Sequence, residues 1–168
     1  MISKKMQNAL NEQIKHEIYS AHLYLAMSAH CESNGLKGFA HWLQLQYDEE
    51  MMHAMKFYRY VLDQGATIAL QEIPAPPSKF ESVLEMFEEV LKHEQFVTAS
   101  IHKLVDLALA EKDHATTIFL QWFVTEQVEE EASAQDIIDQ LKLVGKEKSG
   151  LFMINREMGT RTAATADA

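Results

Sequence analysis

Apolar residues recur every three to four positions through four long stretches of the chain, a period that predicts amphipathic helices rather than strands. The first stretch runs from about Lys5 to Cys31 and stops before Ser33-Asn34-Gly35, and the second runs from near Lys37 to Gly65. The third begins near Ser78 or Ser82, each followed three residues later by a glutamate (Glu81, Glu85) in capping-box spacing. It continues to about Ala110. After the turn Glu111-Lys112-Asp113 the fourth stretch runs to Gly145, and a shorter helix is expected from Ser149 to about Met158. Residues 1–160 thus form one expected domain, and 161–168 an expected disordered tail.

The links between these stretches predict how they pack. Each long stretch has about 28 residues and so spans ~42 Å as a helix. The first-to-second and third-to-fourth links are short, which makes each pair an antiparallel hairpin. The link from Ala66 to about Phe80 carries Pro74, Pro76 and Pro77; fully extended it reaches ~50 Å, enough to travel the length of the bundle. The expected architecture is an all-α four-helix bundle with one long crossover between the second and third helices and a short fifth C-terminal helix. An internal echo fits two related hairpins: Lys15-His16-Glu17 recurs as Lys92-His93-Glu94, and the same interval carries Glu49 to Glu126, Glu50 to Gln127 and His53 to Glu130.

Charge patterning then raises a chemical question. Glu17 lies on the apolar stripe of Ile14, Ala21, Tyr24 and Leu25, and Glu94 among Val90, Leu91, Val97, Thr98 and Ile101. Glu50 falls between Leu43, Tyr47, Ala54 and Phe57, with His53 one turn on; Glu130 falls between Phe123 and Ala134, with Ile137 and Leu141 beyond. A lone glutamate beside an apolar stripe ordinarily bends out to solvent. Four of them, one per long helix, are a different matter, because a buried carboxylate costs several kcal/mol unless it is paired. No Lys or Arg occupies these stripes, and multivalent cations with a preference for hard oxygen donors are the natural compensation.

Glu50-x-x-His53 places a carboxylate and an imidazole on adjacent turns of one face, within reach of a single ion. A carboxylate from a neighbouring helix can bridge to a second ion, which gives a di-metal site suited to two-electron reduction of O2 or peroxide. The di-metal bundle pattern asks for a second Glu-x-x-His, and here that copy reads Gln127-x-x-Glu130. Two unequal metal positions follow, one with Glu17, Glu50 and His53, the other with Glu50, Glu94 and Glu130, with Gln127 a hydrogen-bonding neighbour.

Composition narrows the function classes. A net charge of −10 with scattered Lys and Arg argues against nucleic acid as a partner. No stretch approaches the ~20 apolar residues of a membrane helix, and the N-terminus lacks a signal-peptide core, so a cytoplasmic protein is expected. Cys31 is the only cysteine, which rules out an intrachain disulfide. It is expected to fill core space.

Asn11-Glu12-Gln13 with Glu17-Ile18-Tyr19-Ser20, Asp48 to His53, Lys92-His93-Glu94-Gln95, and Phe119-Leu120-Gln121-Trp122 leading to Glu126 through Glu131 resemble the motifs of the bacterial non-haem ferritins; the likeness covers about residues 3–158. The resemblance implies ferroxidase ligands at Glu17, Glu50, His53, Glu94 and Glu130, with Gln127 beside the oxygen-binding space. It implies a third iron position at Glu49, Glu126, Glu129 and Glu130, although those glutamates on the fourth helix also read as a solvated acidic face. Tyr24, otherwise an amphipathic core residue, becomes a possible electron donor. Fe(II) and O2 or H2O2 are the implied substrates, and a hollow homo-oligomeric shell of 24 subunits holding ferric mineral the implied assembly.

Two related families sharpen the expectation. Met51 stands where bacterioferritins carry a haem-ligating methionine, but Glu130 replaces their second histidine, and no haem is expected. A rubrerythrin-like peroxidase needs a cysteine cluster that one Cys cannot supply. A metal-free structural bundle, its inward carboxylates merely hydrogen-bonded or hydrated, is the alternative from another class. His22, His30, His93 and His102 are read as surface or packing residues.

Overall fold

The computed structural model describes residues 1–163, so most of the expected tail lies outside the described residues. Among the described residues five helices appear in order: α1 (Lys4–Ser33), α2 (Lys37–Asp63), α3 (Val83–Glu111), α4 (His114–Val144) and α5 (Lys148–Met158). Of the two possible starts for α3, Ser82 is the cap: its hydroxyl accepts a hydrogen bond from Glu85 N at 3.1 Å. Residues 64–82 form the non-helical crossover. It is pinned by buried Asn11, whose amide donates to Thr67 O at 3.0 Å while its Oδ1 accepts from Ala69 N at 2.8 Å.

The hairpin turns follow from local chemistry. Gly35 adopts φ +75 after α1, where a side chain would be strained, and Leu36 N closes the turn on Cys31 O at 2.9 Å. Between α3 and α4 a lysine takes the left-handed position, Lys112 at φ 55, and Asp113 caps α4 by accepting from Thr116 N at 3.0 Å. The N-terminus of α2 has no side-chain cap of its own. Asn155 on α5 supplies one, its Oδ1 accepting from Gly38 N at 2.9 Å and Phe39 N at 3.2 Å.

The core is split in two. Leu23, Tyr24, Phe39, Trp42, Phe87 and Ile138 pack at the end beside α5, while Met6, Leu10, Phe57, Ile101, Leu120 and Phe123 pack at the other. On every long helix a polar stretch separates these two sets: Glu17 and Ser20, Gln46 to His53, Glu94, and Gln127 with Glu130. A buried polar layer thus crosses the middle of the bundle. Leu25, assigned to the apolar stripe by its spacing, is 41% exposed and faces away from the core.

Candidate metal centre

All four inward glutamates and His53 are buried, none more than 7% exposed. The first hairpin brings three of them together. Ligand atoms of Glu17, Glu50 and His53 lie within 4.8 Å of one another, and among the described residues this is the one such group of three. His53 Nδ1 stands 3.5 Å from Glu50 Oε2, at the i,i+3 spacing read from the sequence. That Glu50 oxygen is the one buried side-chain oxygen or nitrogen, among the described residues, with no hydrogen-bond partner. An orphaned buried carboxylate oxygen is costly, and a metal ion is the partner its surroundings fit.

The second hairpin supplies the facing wall. Glu94 Oε1 accepts a hydrogen bond from the buried Tyr24 hydroxyl, and Glu94 Oε2 accepts from Gln127 Nε2 at 3.1 Å. Gln127 therefore sits beside the ligands as a donor, and Tyr24 touches one of them directly. Glu130 Oε2 accepts from Gln46 Nε2 at 2.8 Å. His53 is fixed edge-on against Trp122 and Phe123, with ring centroids 5.3 and 6.0 Å away.

Electrostatics bear the marks of a site built for cations. Burial, then the nearby Glu50, pushes the Glu17 carboxyl up to about 8. Burial also raises Glu50 and Glu94, and lifts Glu130 well above the carboxylate range with Glu94 and Glu50 adding to it. Burial alone would lower His53, but Glu126, Glu50 and Glu17 outweigh it and hold the imidazole well above its ordinary value. Burial and mutual repulsion thus favour the neutral form of all four carboxyl groups, and a bound metal ion would compete with those protons.

The residues implied for a third iron are dispersed by comparison. Glu126 Oε1 lies 3.7 Å from His53 Nε2 and is partly exposed, and Glu129 is exposed. Glu49 is buried and engaged by Arg161 Nη2 at 2.7 Å. His93 is occupied by Ser20 Oγ at 2.8 Å, in keeping with a packing role. Cys31 is buried, as a core-filling thiol should be.

Three site neighbours escaped the sequence reading: Gln13, Gln46 and Arg161. Gln13 Nε2 donates to Glu17 Oε1 at 2.7 Å, and its own Oε1 accepts from Ser100 Oγ at 2.6 Å. A signal for the two glutamines was present, since each lies one turn before a ligand on the same apolar face, Gln13 before Glu17 and Gln46 before Glu50. Arg161 lies beyond the last periodic segment, and nothing in the pattern points to it.

Comparison with known proteins accords with this geometry. Residues 7–144 match the ferritin-like domain family. The chain is 47% identical over 161 residues to a bacterial non-heme ferritin of Bacteroides fragilis, covering 96% of this chain and all of that one. It is 44% identical over 162 residues to a bacterial non-heme ferritin of Staphylococcus saprophyticus, covering 96% and 97%. Among solved structures, the open-pore ferritin of the archaeon Archaeoglobus fulgidus superposes with a TM-score of 0.96 at 50% identity, over 96% of this chain and all of that one. An engineered closed form of the same archaeal ferritin superposes with a TM-score of 0.96 at 49% identity, over 98% of this chain and all of that one. With one crossover, a carboxylate layer through the bundle and similarity along nearly its whole length, the chain belongs to the ferritin-like family.

Proposed function

We propose that the protein stores iron as a ferritin and oxidises it on entry, acting as a ferroxidase at the buried centre. The observation that carries this reading is the convergence of Glu17, Glu50 and His53 around an oxygen of Glu50 that has no hydrogen-bond partner. Two Fe(II) ions are the substrate. One takes Glu17, Glu50 and His53; the other takes Glu50, Glu94 and Glu130, with Glu50 between them. Each iron gives up one electron, and the pair, with two protons, reduces one O2 to H2O2, or one H2O2 to two waters.

The protein's own part is positioning and charge. Gln13 orients Glu17, Gln127 and Tyr24 orient Glu94, and Gln46 orients Glu130. The two apolar clusters on either side keep bulk water from the layer. Tyr24, donating to Glu94, is placed to give an electron when only one iron is bound. Glu49, Glu126, Glu129 and Glu130 supply a third iron position beside the centre, and the Fe(III) product is stored as mineral inside a homo-oligomeric shell of 24 copies, in the cytoplasm.

Stopped-flow absorbance of Fe(III), after mixing about two Fe(II) per subunit with aerated buffer, tests the reading. A fast phase that saturates near two irons is expected. Glu50→Ala should abolish it, because both positions lose a ligand, while Glu130→Ala should slow it and impair onward transfer. Unchanged rapid oxidation in both variants would remove this centre from the chemistry.

A further inference from the structure

Arg161 follows α5 by three residues, yet it reaches back to the buried layer. Its carbonyl accepts a hydrogen bond from His41 Nε2 at 2.9 Å, and its guanidinium lies over the Trp42 ring at 4.7 Å. From that seat Nη1 donates to Gln46 Oε1 at 2.5 Å and Nη2 to Glu49 Oε2 at 2.7 Å. Gln46 is fully buried, and its amide nitrogen donates onward to Glu130 Oε2 at 2.8 Å. One cation therefore links the end of α5 to α2 and, through a single glutamine, to a ligand on α4.

The chemistry of this link is specific. A guanidinium fork holds two acceptors in fixed relative positions, which a point charge such as lysine does not. The fork occupies Glu49 Oε2 and places a positive charge against that carboxylate. It also selects the Gln46 rotamer whose amide nitrogen faces Glu130. Beside it is an open cleft of about 260 Å³, lined by Trp42, Ser133, Asp136, Ile137 and Arg161 among others.

We propose that Arg161 is a cationic latch on the metal centre: it keeps Glu49 from binding metal, orients Glu130 through Gln46, and must swing away before a third ion can bind. The latch rests on the reading of Glu49 as an iron ligand. It makes the third position conditional, filled only when a cation displaces the guanidinium. It also makes Arg161 a positioning residue for Glu130.

The test is calorimetric titration of the assembled, metal-free protein with Co(II), which binds carboxylate and imidazole without the oxidation step. In Arg161→Gln a third binding event should appear or tighten by about tenfold, the scale of one lost charge-assisted hydrogen-bond pair. That gain should vanish when Glu49→Gln is added. Arg161→Lys, which keeps the charge without the fork, should give a smaller gain, and thermal midpoints measured in parallel report any general loss of fold. Two tight events with an unchanged third step in Arg161→Gln would overturn the latch and leave the centre standing. Absence of the two tight events in every variant would overturn the centre and the latch together.

Discussion

Burial outweighs the nearby His53 charge and favours the neutral form of the Glu17 carboxyl, and this makes the metal-free protein sensitive to pH. Glu17 is held up to about 8 from an ordinary value of 4.5, so between these values the native state binds a proton that the unfolded chain has released. Stability then falls as pH rises through that window. His53, raised above its usual value, acts in the same direction, because its stabilising charge is lost as pH rises through its native pKa. Glu126, held low by His53, acts oppositely and only at the acid end. The thermal midpoint of metal-free protein should therefore drop between pH 5.5 and 8, the drop should shrink in Glu17→Gln, and divalent metal should restore more at pH 8. A midpoint that rises over this range would contradict the protonated layer. The inward direction of Glu17, Glu50, His53, Glu94 and Glu130 was legible in the sequence because a 3.6-residue period says which way each side chain points. Arg161 was not, because it reaches the layer by a chain reversal that carries no period.

Helix ends decide how α5 is attached. Asn155 caps α2 from outside, and a Cβ on Gly38 would lie 1.5 Å from Asn155 O, so the two helices meet at a point where only glycine fits. Alanine in place of glycine inside a helix ordinarily gains about 1 kcal/mol. Here the clash with backbone should reverse the sign, and Gly38→Ala should cost about 2 kcal/mol or displace α5. Asn155→Ala should cost about 1 kcal/mol, the usual worth of an N-cap. Thermal unfolding reads both, and a stabilised Gly38→Ala would show that α5 is not docked this way. Four helices and their turns were readable from period and turn residues, as Gly35 and the turn Glu111-Lys112-Asp113 illustrate. The Asn155 cap was not, since a cap borrowed from another helix has no signature in the capped segment. The choice of Ser82 over Ser78 likewise lay beyond a four-residue pattern that both serines satisfy.

At the scale of the whole molecule, the bundle leaves large apolar side chains outside. Leu143, Phe152 and Met153 stand 87%, 61% and 70% exposed near the α4–α5 corner, an apolar surface that a lone subunit would leave in water. A shell of 24 copies of this 19.2 kDa chain has a mass of about 460 kDa, and sedimentation at neutral pH should find that species in place of the monomer. A persistent monomer or dimer would refute the shell. Shell size was not legible in the periodicity, because outward-facing apolar residues look alike whether they meet two partners or four. The placement of the ligands along the chain has a further consequence, in time rather than in space. Glu17, Glu50 and His53 all precede the crossover, so a chain made from its N-terminus contains all three before any of α3 exists. The second hairpin, arriving later with Glu94, Gln127 and Glu130, brings the other half of the buried polar layer.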